Sequence, residues 1–254
     1  MHDVKSHSNF TSGSYHFFLD LRLKTFTHIQ TFSESQSSCL KKKYGKKSFV
    51  IPLSKKDSGV STVQRLSVED GVKFLFFGGV HQYKRLDVLI LAFEKLLSTN
   101  KNVSLTIAGK GPHWEYCSQL INTKHKYNLK INFIDQTEVP DLFMSHHFLV
   151  LPYQDVTQAG PLFDAFNYSL PVITSDQPGF KEFVQEDIAG FTFQTGVVEH
   201  LAEVMYNCTC LANDQYRTLV EKLREYACSF DKTKIAQRYL QMFQYVIQHS
   251  YDSK

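Results

Sequence analysis

The feature that most constrains this chain is an alternation that begins near residue 72. Short apolar runs stand at Lys73–Phe77, Val103–Ala108, Ile131–Ile134, Phe148–Leu151 and Val172–Ser175, with a weaker one at Gly190–Phe193. Several are apolar throughout, as strands covered on both faces must be. Between them, Leu86, Leu89, Ile90, Phe93, Leu96 and Leu97 recur at helical spacing and make one stripe. Trp114–Tyr127 and Leu162–Ser169 are further helix candidates. Strands that alternate with helices predict a parallel sheet with right-handed crossovers, an α/β doubly wound, Rossmann-like fold. Ligands of such sheets bind at the carboxyl ends of the strands. Chemistry is therefore expected in loops 78–85, 109–113, 135–139, 152–161 and 175–180.

The flanks differ from this middle. Helical patterns cover Val197–Leu211, Asp214–Ser229 and Asp231–His249, with Ser229 and Asp231 as caps between the last two. Residues 1–71 offer a helix near Tyr15–Phe26, a strand near His28–Phe32, a helix near Glu34–Tyr44 and a strand at Ser48–Ile51. A polar link then runs from Ser54 to Gly71. One or two β/α units bury too little surface to stand alone. They are expected to lean on the larger domain, or to be the end of a domain whose beginning is absent. The expected division is 1–71, then a sheet domain at 72–230, then a helix at 231–254 that packs back toward the N-terminal part.

Composition narrows the class. The 254 residues suffice for one large domain or two small ones, and no apolar run reaches the roughly 18 residues of a spanning helix. The opening MHDVKSHSNF has neither a basic flank nor an apolar core, so no signal peptide is expected. Five cysteines, an odd number without zinc-finger spacing, point to reduced thiols and a cytoplasmic protein. Net charge is +3, unevenly spread. Residues 1–71 hold eleven Lys/Arg against six Asp/Glu (+5), the remainder seventeen against nineteen (−2). Lys41–Lys47 supplies most of the excess. It reads either as a solvated helix C-terminus suited to the dipole or as a contact with an anionic membrane surface. No nucleic-acid partner is expected.

Three loops could carry chemistry. In FFGGVHQYKRLD, Gly78 and Gly79 close a strand and let backbone approach a ligand. Lys84 stands where a helix begins, a place that favours anions, with His81 and Arg85 beside it. The phosphate-loop pattern G-x-x-x-x-G-K-[ST] is absent, and an ordinary βα loop remains open. Ala108-Gly109-Lys110-Gly111-Pro112 is a second glycine-rich turn, and by itself a generic one. The third, from Leu151 to Phe166, runs from a strand through Pro152 into a helix with Pro161 near its first position. Backbone N–H groups of Ala159, Gly160 and Leu162 could cradle phosphate. Asp164, one turn in, is either part of that site or a carboxylate favoured near a helix N-terminus. Neither a dinucleotide fingerprint nor a metal-binding Asp cluster is present. The residues alone point to a phosphorylated or nucleotide ligand on an α/β sheet.

The order of motifs carries a resemblance. FFGGVHQYKRLDVLILAF, LTIAGKGP, INFIDQTEVPDLFMSHHFLVLPY and TQAGPLFDAFNYSLPVITSDQPGFKEFV together resemble the donor half of a family 4 retaining glycosyltransferase of GT-B architecture, over about residues 72–247. The similarity is greatest to a bacterial branch that builds polysaccharides and glycolipids such as lipopolysaccharide. Met1–His7 and THIQTFSESQSSCLKKKYG resemble the middle of that family's acceptor-binding domain. The resemblance therefore implies an N-terminally incomplete acceptor domain at 1–71 and a donor-binding domain at 72–230.

The resemblance also implies roles. Lys84 matches a lysine that neutralises the donor diphosphate, with Gly78 and Gly79 before it. His81 stands where the family has an arginine, and Arg85 where it has a glycine. Gln158, Ala159, Gly160 and Leu162 match the segment that binds phosphate and donor sugar. Asp164 matches the second glutamate of the E-x7-E signature, which holds the donor ribose; the first is replaced by Val156. Gln136 and Val139 lie in the loop expected beside the base. His2 matches a histidine near the reaction centre, so His2, Lys84 and Asp164 form the implied catalytic set. The activity implied is that of a hexosyltransferase with a nucleotide-diphosphate sugar as donor, a glycan or glycolipid acceptor, and no metal or other cofactor. It is expected in the cytoplasm, peripheral at the inner membrane face through Lys41–Lys47. An unperturbed His81 implies donor binding that varies between about pH 6 and 7. The alternative is a truncated, non-catalytic remnant that binds nucleotide or a partner chain. A sugar-nucleotide epimerase is a third reading, for which the sequence shows no clear acid/base pair.

Overall fold

The computed structural model describes residues 20–55, 65–99, 102–156 and 159–250. His2, Gln158 and the part of the first expected helix before residue 20 lie outside the described residues. The central feature is a six-stranded, wholly parallel sheet. Its strands are β3 (Val72–Phe77), β4 (Val103–Ala108), β5 (Tyr127–Lys130), β6 (Phe148–Leu151), β7 (Val172–Ser175) and β8 (Gly190–Phe193). The spatial order is β5-β4-β3-β6-β7-β8. The chain starts in the middle at β3, runs outward to β5, then returns to β6 on the other side. Loops after β3 and β6 therefore diverge and leave a crevice at their carboxyl ends.

Helices cover both faces, as the all-buried residues of β6 and β7 require. α2 (Leu86–Thr99) buries Leu86, Leu89, Ile90, Phe93, Leu96 and Leu97. Short helices α3 (Trp114–Ser118) and α4 (Val139–Met144) follow β4 and β5. α5 (Gly160–Asn167) follows β6, and α6 (Pro178–Lys181) follows β7. α7 (Val198–Thr209) and α8 (Asn213–Ala227) complete the domain. The core is aromatic: Phe74 packs edge-on to Phe93 and stacked on Phe148, which meets Tyr216. Phe163, Phe166 and Phe230 form a second knot under α5. Each fully buried ring contributes on the order of 2 kcal/mol by area alone.

The N-terminal part is small. β1 (Gln30–Thr31) pairs in parallel with β2 (Phe49–Val50), and α1 (Glu34–Tyr44) joins them. Ser33 caps α1 by accepting from the Gln36 N–H, and Gly45 ends it at φ 67°. Leu23, Ile29 and Leu40 make a separate, minor core. Several contacts among the described residues tie this part to the rest, including an ion pair of Lys55 with Asp231 at 2.8 Å. The Glu182 carboxylate accepts from the Glu34 N–H at 2.8 and 2.9 Å and from the Ser35 N–H at 3.4 Å. The last helix, α9 (Lys232–Ser250), returns to β2: Arg238 donates to the Val50 carbonyl, and Tyr245 meets Phe49 edge-on.

Two expectations need correction. The strand expected at Ile131–Ile134 is instead Tyr127–Lys130. β5 is an outer strand of the sheet, with Asn128 and Leu129 exposed and Tyr127 and Lys130 half-buried, and the more apolar run behind it is loop. The helix expected over Trp114–Tyr127 ends at Ser118. Glu94 stops its continuation by accepting from the N–H groups of Asn122 and Thr123 and from the Tyr127 hydroxyl, which pins the entry to β5. α4 and α6 are additions to the expected elements. All five cysteines are free thiols. Among the described residues no helix is long and apolar enough to cross a membrane.

Candidate functional site

The site grows from the carboxyl ends of β3, β4 and β6. Past the strand ends, the Gly78 N–H donates to the Ala108 carbonyl at 2.9 Å and the Val80 N–H to the Lys110 carbonyl at 3.1 Å. The two loops thus lie backbone against backbone. Gly109, at φ 138°, leaves no room for a side chain: a Cβ there would stand 2.1 Å from the Gly78 oxygen. This floor carries a single turn of 3₁₀ helix, Gln82–Lys84.

Lys84 turns back over the floor. Its ammonium lies 3.0 Å from where a Cβ on Gly78 would be, and 5.1 Å from the centre of the Tyr153 ring. It makes no hydrogen bond or ion pair with the described residues, and desolvation lowers its pKa to about 8. Arg85 is different. It takes a left-handed conformation (φ 50°, ψ 43°), which explains the glycine that the resemblance places there. Its Nε and Nη2 donate to Asp87 at 2.9–3.2 Å and its Nη1 to Gln154 at 3.0 Å. Asp87 raises its pKa and neutralises it locally. His81 is exposed and stacks on Tyr83 at 5.9 Å. Desolvation and then the Lys84 charge lower its pKa from the ordinary histidine value. Any pH response from His81 therefore lies lower than the range of an unperturbed histidine.

The other wall is the start of α5. Pro161 comes within 3.8 Å of the Gly78 Cβ position, so the helix begins beside the glycine floor. No described residue lies within 4 Å of a Cβ placed on Gly160, which is exposed. The Leu162 N–H donates to the Ala159 carbonyl and serves the helix's own first turn. The amides of Ala159 and Gly160 have no acceptor among the described residues. Asp164, one turn in, is buried. Val156 is buried too, an aliphatic side chain beneath the loop. Gln136 is exposed in the loop after β5, and Val139 begins α4. Gln136 lies just past the outer strand, two strands from β3, whereas α4 runs back toward β3, where its Phe143 meets Phe77 edge-on. The crevice thus gathers Gly78, Gly79, His81, Lys84 and the α5 start, while Arg85 faces Asp87 and Gln154. Among the described residues no cluster of three or more His, Cys, Asp or Glu could hold a metal.

Three contributors escape sequence reasoning. Tyr153 supplies the ring beneath Lys84, Gln154 bridges loops by donating its N–H to the Tyr83 carbonyl at 2.7 Å, and Asp87 occupies Arg85. A signal exists only for Asp87, two residues beyond a cation at a helix start.

A strand-central crevice with a cation and glycine floor is shared by many nucleotide-binding domains, so the comparison with families decides. The family described as Glycosyl transferases group 1 matches residues 71–209, more than half of the chain. The chain belongs to this family. Comparison with curated proteins found no match. Among solved structures, a TarM variant from S. aureus in complex with Fondaparinux, alpha-GlcNAc-glycerol and UDP superposes at TM-score 0.80 and 15% identity, over 95% of this chain and 49% of that one. The Anabaena protein HepE in complex with UDP and glucose gives 0.80 and 15%, over 96% and 70%. Sucrose-phosphate synthase from Thermosynechococcus elongatus gives 0.80 and 15%, over 96% and 65%. These glycosyl transferases share the GT-B fold with the chain, which spans about half to seven tenths of their length.

Proposed function

We propose that this group 1 glycosyl transferase is the donor-binding part of a retaining hexosyltransferase. It would move a hexose from a nucleotide-diphosphate sugar to a glycolipid or polysaccharide acceptor. The observation that carries the reading is Lys84, an ammonium without a carboxylate partner among the described residues, set over a glycine floor at the switch point of the sheet. A cation kept desolvated and uncompensated is costly unless an anion arrives. The geometry suits a diphosphate lying between Lys84 and the amides at the start of α5 that have no acceptor among the described residues.

The chemistry derives from that placement. The acceptor hydroxyl attacks the anomeric carbon on the face from which the nucleotide leaves. The new C–O bond forms as the bond to the diphosphate breaks, and the hydroxyl proton goes to the departing phosphate oxygen. Negative charge grows on the diphosphate, and Lys84 with the α5 amides stabilises it where it develops. The reading assigns no metal to this step. Asp164 is assigned to the ribose, Gln136 and Val139 to the base, and Gln158 and His2 to the sugar side. Gly79 and His81 border the phosphates, with Arg85 holding the loop.

A second reading, nucleotide or partner binding without turnover, is favoured by Val156. It places a buried aliphatic group where the family signature has its first acid. Transfer assays with the full chain and UDP-, GDP- and ADP-sugars separate the two. UDP-sugars come first because TarM and HepE are described with UDP. Donor binding with neither transfer nor hydrolysis would favour the second reading; no binding at all defeats both.

The acceptor side suggests a place of work at the inner membrane face in the cytoplasm. Lys41, Lys42, Lys43 and Lys47 are exposed, and so are Leu21 and Phe26 beside the same unit. Flotation with vesicles containing anionic lipid should carry the chain upward at low salt, and neutral vesicles should leave it behind.

A further inference from the structure

We propose that Tyr153 is a positioning residue for donor binding: its ring takes the place of a carboxylate partner and holds the Lys84 ammonium at the diphosphate position. This rests on the donor-site reading and adds to it a group that touches the lysine rather than the ligand.

The geometry has three parts. The Lys84 ammonium lies 5.1 Å from the Tyr153 ring centre, inside the range of a cation–π contact. That ring is clamped. Tyr83 meets it edge-on at 6.1 Å, Phe180 packs on it at 5.6 Å, and Tyr153 itself is buried. Its backbone is held on both sides. The Ser175 hydroxyl donates to the Tyr153 carbonyl at 2.5 Å, and the Gln154 N–H donates to Tyr83. The third part is negative: the Tyr153 hydroxyl is buried without a hydrogen-bond partner among the described residues. A tyrosine kept for its hydroxyl would have one. What the site uses is the face of the ring.

A ring suits this place better than Asp or Glu would. A carboxylate would pair with Lys84 and compete with the incoming diphosphate, as Asp87 does at Arg85. A π face attracts the cation weakly, about 0.5–2 kcal/mol, and leaves its N–H groups free for phosphate oxygens. It also supports the charged form of a lysine that desolvation drives toward neutrality.

The test uses the full chain and inorganic pyrophosphate, which needs no knowledge of the base. Tyr153→Phe keeps the ring and should bind pyrophosphate within about twofold of wild type. Tyr153→Leu should weaken binding roughly 2- to 30-fold, the range that a contact of this kind converts to. Phenylalanines carrying one, two and three fluorines at 153 keep the shape and drain the π face, so they remain informative if the leucine variant fails to fold. Affinity should fall stepwise along that series. In parallel, NMR titration of the Lys84 side chain without ligand should show its pKa falling along the same series. A flat series in both readouts overturns the role of Tyr153. If wild type does not bind pyrophosphate, or Lys84→Met binds it equally well, the donor-site reading fails, and the ligand-free titration still decides whether the ring holds the lysine.

Discussion

The two rims of the sheet treat nitrogen bases in opposite ways. At the carboxyl rim, the Lys84 ammonium is desolvated and has neither a hydrogen bond nor an ion pair among the described residues. At the amino rim, just before β6, His146 and His147 are buried more deeply, yet both ring nitrogens of each are used. The His146 Nδ1–H donates to the Leu142 carbonyl and its Nε2 accepts from the Thr106 hydroxyl, both at 2.6 Å. For His147, Nδ1 accepts from the Lys73 N–H at 2.9 Å and Nε2–H donates to the Ser67 carbonyl at 3.0 Å. Arg65 donates to the carbonyls of Phe143 and His146 nearby. A group whose partners lie inside the protein stabilises the fold. A buried cation whose partner is missing points to something that binds.

The largest effect should come from acid at the amino rim. Burial, with the nearby charges of Arg65 and Lys73, lowers both histidine pKa values to about 4. The unfolded chain takes up these protons near pH 6.5, the folded one only near 4. Stability should therefore be full above about pH 6.5 and fall through pH 5 toward 4, by up to roughly 3 kcal/mol per histidine. Urea unfolding at pH 7 and at pH 5 measures this; equal stabilities would mean that the pair is not held neutral.

At the carboxyl rim, Lys84→Met should do two things at once. Pyrophosphate affinity should drop on the order of 100-fold, as for loss of a charge-assisted contact of about 3 kcal/mol. The unliganded protein should become more stable by about 1–2 kcal/mol at pH 7, because a desolvated charge is gone. Calorimetry and thermal unfolding report each, and a stability loss would contradict the contrast between the rims. In wild type, affinity should decline as pH rises through about 8 and Lys84 loses its proton.

Arg85→Gly sharpens the contrast, because Arg85 sits at the carboxyl rim but is paired. Relief of the left-handed backbone, about 1 kcal/mol, offsets loss of the Asp87 pair. Pyrophosphate affinity should change less than about threefold by titration. The smallest effect is expected from His81→Ala, which should be silent at pH 8 and weaken binding only modestly, by less than about threefold, in acid where the lowered pKa lets the imidazole protonate.

Much of the fold was legible because central strands of a parallel sheet must be apolar on both faces. Val103–Ala108, Phe148–Leu151 and Val172–Ser175 have the bounds that their sequences suggest. β5 was not legible, since an outer strand has a wet side and its sequence alternates. In the site, Gly78 and Lys84 could be read from a loop that ends a strand. The pairing of Arg85 with Gln154 could not, because the two are brought together only when the loops after β3 and β6 meet at the switch point. Tyr153 reads as one more core aromatic after a proline. Nothing local indicates that a lysine from another loop will lie on it.

The Glu182 carboxylate on the first turn of α1 has a mechanical meaning. The small N-terminal unit is joined to the sheet domain through amide hydrogens, which every residue except proline possesses. Side chains at 34 and 35 can therefore vary while this half of the joint persists, and one substitution at 182 removes it, leaving the contacts of α9 with β2. Swinging the two parts open would uncap α1 in the same motion. Hinge angle and helix fraying are then a single coordinate, which amide hydrogen exchange at Glu34 and Ser35 would read directly.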